Sequence, residues 1–154
     1  EIFSGDRSPK SKALPVFPSS CFLSLLLLAG CANAGKTEAA SLSTAIERYR
    51  VAENSLKGSM AEALDHTPCS VVDVCETKRA CLAVSGPTAR ALALKHEVER
   101  GLAEVRAGKM AHDSPEARTL PDKLDEAARL LEEGHTALPN CDEKLQSMKR
   151  KYGI

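Results

Sequence analysis

This sequence predicts an all-α fold: an up-and-down antiparallel bundle of about four helices plus a short C-terminal helix, stapled by disulfides. Three observations predict it. Ala, Leu, Glu, Lys and Arg, all strong helix formers, dominate after residue 36. Apolar residues recur at spacings of three and four rather than alternating. Runs rich in Val, Ile, Thr and aromatics are nearly absent, and the one candidate strand, Ser70 to Val74, is short. A chain of 154 residues fits one domain.

The first helix follows Thr37, a capping residue. It carries Leu42, Ile46, Tyr49, Leu56, Met60 and Ala63 on one face, with Glu53 in the turn between, and runs to about His66. Thr67-Pro68-Cys69 punctuates the chain. Ser70 and Asp73 have the spacing of a capping pair, so a second helix starts there and runs to about Val84. Ser85-Gly86-Pro87 ends it, because Gly stops helices and Pro begins them. A third helix carries Ala91, Leu94, Val98, Leu102 and Val105. His112 to Pro115 breaks it, and Ser114 with Pro115 restarts helix, with Pro121 dividing off the first turn. Leu120, Leu124, Ala127, Leu131 and Leu138 continue the stripe. "LPNC" interrupts again, and Asn140 with Glu143 can cap a last helix bearing Leu145 and Met148. No stripe buries enough surface alone, so the stripes must face one another.

Composition narrows the functional classes. Basic and acidic residues balance at 21 each, so no basic footprint points to nucleic acid. The absence of Trp, with two Tyr and three Phe, leaves few stacking platforms for bases. Neither G-x-S-x-G nor an activated Cys–His arrangement occurs, so no catalytic activity and no cofactor are expected.

The first thirty residues differ from the rest. Arg7, Lys10 and Lys12 precede an apolar core from Cys21 to Ala29, about half of what a spanning helix needs. Small residues follow. This is the order of a secretory signal. Leu28-Ala29-Gly30-Cys31 resembles the processing site of bacterial lipoprotein signal peptides, and the resemblance covers residues 7–31. It implies cleavage before Cys31, a diacylglycerol thioether on its sulfur and acylation of the new amino group. Ala32 in place of Asp implies the outer membrane, facing the periplasm, over inner-membrane retention. The domains would then be a signal over 1–30, a lipidated Cys31 with a flexible tether to residue 36, and one helical domain over 37–154. Two or three acyl chains anchor a protein stably to a bilayer. Two rivals share the stretch. Ala32-Asn33-Ala34 fits cleavage for ordinary secretion. Gly30 to Thr37 fits G-x-x-x-x-G-K-[ST], with Lys36 reaching phosphates and Thr37 holding magnesium. A phosphate loop needs a parallel sheet around it, and the sequence offers no further core strands.

Past Cys31, the cysteines are Cys69, Cys75, Cys81 and Cys141. An even number in an exported domain points to disulfides. On one continuous helix Cys75 and Cys81 lie about 9 Å apart along the axis and on different faces, too far to bond. Cys69 and Cys81 are further apart. Cys69–Cys75 with Cys81–Cys141 avoids both objections, provided that Cys69 sits outside the helix; a helix capped by Thr67 would defeat it. No CxxC, haem-attachment or zinc-knuckle spacing occurs. In the expected bundle His66 and His112 fall at one end near Cys69, which makes a copper or zinc site the metal-binding alternative. The weightier expectation is a lipid-anchored envelope protein acting as a structural, scaffold or partner-binding module, its partners being the bilayer and another envelope protein.

Overall fold

A computed structural model describes residues 23–154, with side chains from Ala34 onward. The basic leader and Cys21 lie outside the described residues, as does the side chain of Cys31. Five α-helices follow one another: α1 (Leu23–Val51), α2 (Lys57–Asp65), α3 (Val72–Arg106), α4 (Pro115–Arg118) and α5 (Leu120–Tyr152), with a 3-10 turn at Asn54–Leu56. The fold is an all-α bundle, and no strand occurs among the described residues. The chain is divided differently from the expected pattern, however. α3 and α5 form an antiparallel hairpin about 50 Å long. α1 and α2 pack across one half of it.

Both prolines expected to end helices lie inside them: Pro87 in α3 and Pro139 in α5. Each removes one backbone donor and orphans the carbonyl four residues earlier, at Ala83 and His135. Both of those residues are exposed, so water can take the orphaned carbonyls. Tertiary packing overrides the local signal. The expected separate C-terminal helix is therefore the last part of α5, and Asn140 and Glu143 sit mid-helix rather than at a cap.

α3 and α5 approach closely because small residues line their seam. On α5 the buried residues Leu120, Ala127, Gly134, Cys141 and Met148 recur every seven positions. A Cβ on Gly134 would stand 2.7 Å from Thr88 Oγ1 and 3.1 Å from the Val84 carbonyl oxygen, so only glycine fits there. Gly101 does the same for Leu120 near the tip of the hairpin. The buried Cys81 and Cys141 are bonded across the seam, with Cα atoms 4.6 Å apart. Cys69, in the loop before α3, is bonded to Cys75 in its first turn.

The main core lies where three layers meet: Leu42 and Ile46 of α1, Leu64 of α2, Val74 and Cys81 of α3, and Leu145 and Met148 of α5. A smaller cluster, Ala91, Ala127 and Leu130, serves the part of the hairpin that α1 and α2 do not reach. The expected single helix to His66 breaks after Val51. Lys57 turns back there, and its Nζ donates to the carbonyls of Tyr49 and Arg50 at 2.5 and 3.0 Å, supplying donors for the end of α1. Consequently Leu56 and Ala63, expected inside, are exposed, and Ala61 and Leu64 are buried instead. At the hairpin tip Gly108 takes a positive φ of 71° to end α3, and Ser114 Oγ accepts from the Ala117 amide to start α4.

The seam and its staple set two measurable stabilities. Replacing Cys81 and Cys141 by Ala opens a loop closed over 60 residues and costs about 4 kcal/mol, against about 2 for Cys69 and Cys75, six apart. Urea unfolding of the two double variants measures both. Gly134→Val loses about 2 kcal/mol through overpacking. Gly58→Ala, whose added carbon meets nothing within 4 Å, keeps or slightly raises stability.

Candidate functional site

The two ends of the hairpin differ in chemistry. At the base, α1 begins its described side chains, α3 starts and α5 ends. Gly35 is buried there, and a Cβ on it would lie 3.0 Å from Tyr152 Cε1, so the tyrosine ring rests on bare backbone. Tyr152 donates its hydroxyl hydrogen to Asp73 Oδ1 at 2.9 Å, while Lys151 Nζ lies 2.7 Å from Oδ2. Residues 31–36, expected as a flexible tether, are helical backbone continuous with α1. Ala-rich sequence favours that helix, and the Tyr152 contact holds its described part in place.

Glu38 reaches across to the start of α3. Its carboxylate accepts from the Ser70 amide and hydroxyl, at 2.7 and 2.5 Å, and from the Val71 amide at 3.2 Å. The α3 cap expected from Ser70 with Asp73 is thus supplied from another helix, and Asp73 is turned to α5 instead. Hydrogen bonds from the Ser70 side chain and backbone hold the Glu38 pKa below the ordinary carboxylate value. Partial burial opposes ionisation of Asp73, but hydrogen bonds from Lys151 and Tyr152 outweigh it and lower its pKa as well.

The other expected sites fare differently. Cys69, Cys75, Cys81 and Cys141 are all in disulfides. His66 follows α2, near the base, and is exposed beside Glu62. His112 lies past the far end of α3 and lines a groove there. The length of α3 separates them, about 50 Å, so they cannot share a metal. The expected proximity assumed a helix break at Pro87 that would have folded the chain back. No group of three or more metal-ligating side chains occurs among the described residues. Gly30 to Thr37 is helical backbone, which commits its amides to intrahelical bonds; Lys36 and Thr37 are exposed on it. A phosphate cradle needs free amides in a loop, which this helix does not supply. No helix among the described residues is long and apolar enough to cross a membrane.

The far end holds what the sequence reading missed. Leu124, Leu131 and Leu138 were expected inside a bundle, yet they are 52, 46 and 37% exposed. With Leu145, which is 1% exposed beneath α1, they repeat every seven residues along α5. That spacing was the available signal. Beside Leu124 a groove of about 420 Å³ is lined by Val98, Leu102, Val105 and Leu120. Between base and tip, under the end of α1, a smaller pocket of about 240 Å³ holds Tyr49, Thr88 and Leu138; burial raises the Tyr49 phenol pKa.

Comparison of the chain with protein-family models, curated proteins and solved structures gives no match.

The base carboxylates set a pH dependence. Both pKa values are lowered by folding, so their stabilisation is complete above the ordinary carboxylate range. It is lost as pH falls through the lowered values. Glu38→Gln and Asp73→Asn should each lower Tm by a few degrees at neutral pH. The gap to the parent should narrow progressively as pH falls below the ordinary carboxylate range, as thermal unfolding followed by circular dichroism would record.

Proposed function

We propose that this chain is a lipid-anchored protein of the bacterial cell envelope, held at the outer membrane and facing the periplasm, where it acts as a scaffold or partner-binding module. The observation that carries the proposal is the pairing of every cysteine of residues 34–154 into two disulfides. Such bonds persist in oxidising compartments. They agree with a leader whose Leu28-Ala29-Gly30-Cys31 resembles a lipoprotein processing site.

The layout supports the same reading. Cys31 precedes Gly35 by about one helical turn on α1, so an acylated sulfur would place the base of the hairpin at the bilayer. The exposed leucines are then carried away from the lipid by the α3–α5 hairpin. An anchor, a spacer and an apolar contact face are the parts a scaffold needs, and no catalytic constellation is required.

Expression of the parent and of Cys31→Ala in a Gram-negative host, followed by fractionation and intact-mass analysis, tests the anchor. The parent is expected in the membrane fraction with an N-terminal Cys31 carrying acyl chains, and the variant in the soluble fraction. An unmodified N-terminus at Gly35, or equal partitioning of both proteins, would overturn the proposal.

A further inference from the structure

The hairpin changes thickness partway along. α1 and α2 cover one half of it and stop near Thr88 and Leu138, which leaves a step. The pocket of about 240 Å³ lies at that step, under the end of α1. Ile46 of α1, Leu64 of α2, Val84 of α3 and Leu138 of α5 supply apolar walls, and the Cys81–Cys141 bond supplies another. Leu138, 37% exposed, stands at the rim.

Polar groups are few in it. Tyr49 is 8% exposed, and its hydroxyl is buried with no hydrogen-bond partner. Thr88 stands beside it, near enough to act on the ionisation of the phenol but outside hydrogen-bonding distance. The Thr88 hydroxyl gives its own hydrogen to the Val84 carbonyl at 2.8 Å. The two cations lining the pocket are already engaged, Arg50 with Asp142 and Lys57 with the carbonyls of Tyr49 and Arg50. Lys57 Nζ also lies 4.6 Å from the centre of the Tyr49 ring, a cation–π contact that helps to hold the ring in place. Nearly every buried polar group in a native protein has a partner, so an orphan beside a cavity points to a group from outside the chain.

We propose that this pocket binds a small, neutral, mostly apolar molecule carrying one acceptor oxygen, which takes its hydrogen bond from the Tyr49 hydroxyl. Three features select that chemistry. First, the walls suit carbon better than water. A space of this size would take several water molecules, each needing two to four polar partners, and the Tyr49 and Thr88 hydroxyls cannot serve them all. Second, the unpaired group is a donor. Burial raises the phenol pKa, so the hydroxyl keeps its hydrogen across the ordinary pH range and calls for an acceptor. An anion gains little, because Arg50 and Lys57 are already engaged and the surroundings that keep the phenol neutral also penalise a carboxylate. Third, the volume sets the size. A cavity of about 150 Å³ takes benzene, so this one takes about nine or ten non-hydrogen atoms. Apolar walls with one well-placed polar group are the ordinary make-up of a small-molecule site.

The site does not depend on the anchor, which is read separately from the N-terminal mass. Calorimetric titration of the purified, disulfide-bonded full chain with three probes of similar size tests it. Acetophenone offers a carbonyl acceptor, indole only a donor, and benzoate an anion. Acetophenone is expected to bind saturably with a dissociation constant below about 5 mM, at least about threefold tighter than either of the others. In Tyr49→Phe the preference over indole should vanish. That variant should keep or gain Tm without ligand, since the hydroxyl it loses has no partner. Acetophenone should shift the amide NMR signals of Thr88 and Leu138 and leave those of Leu102 and Leu124, at the tip groove, in place. No saturation by that concentration, a smaller preference for acetophenone, a preference that survives in Tyr49→Phe, a lower Tm for that variant, or shifts at the tip as large as those at the pocket would each overturn the proposal.

Discussion

The close approach of α3 to α5 is the constraint on which the rest of the structure depends. Two long helices with few large side chains between them could not hold together on area alone. They hold because Ala127, Gly134 and Cys141 let the backbones come near enough for Val84 and Thr88 to fill the remaining space. The Cys81–Cys141 bond fixes the register, and a register so fixed places Leu120 against Gly101 near the other end of the seam. Close seams of small residues gain their stability from many weak dispersion contacts, which weaken steeply with added distance. That is why one missing side chain at residue 134 matters more than an added large one would.

With the hairpin set, α1 and α2 need only one half of it. Leu42, Ile46 and Leu64 complete the core there, and polar groups fix the ends. Glu38 supplies acceptors that the start of α3 lacks within its own helix, where Val71 stands in the capping position with no side-chain hydrogen bond. Asp73, freed from that duty, joins α3 to the last turn of α5 through Lys151 and Tyr152. Arg50 and Asp142 add an ion pair between α1 and α5 at the other side of the layer. Each of these joins residues far apart in sequence, and so orders the helices against one another rather than stabilising any one of them.

Much of this architecture was legible in the residues. Helix-forming composition and three-four spacing carry the all-α class, and reach arguments along a helix axis single out Cys69–Cys75 with Cys81–Cys141. Turn chemistry at Ser114-Pro115 placed the hairpin tip correctly. The errors share one cause. Pro87 and Pro139 are strong local stop signals, and their cost is set by whether the orphaned carbonyl can find water and whether neighbouring packing holds the helix straight, which no short window of sequence contains. Merging those helices carried His112 to the opposite end from His66 and brought Leu124 and Leu131 to the surface. The Glu38 cap was hidden for a related reason: its recipients lie 32 and 33 positions away.

The step in thickness also has a mechanical side. Resistance of a rod to bending rises steeply with its cross-section, so the half carrying α1 and α2 is the stiff part and the bare hairpin the compliant one. The change falls near Thr88 and Leu138, beside the two prolines, where each helix already lacks one backbone bond. A sideways pull on the tip would therefore be felt as curvature at that point, with the buried sulfur bridge just behind it acting as a clamp. The molecule is built like a fishing rod, firm at the grip and giving toward the end.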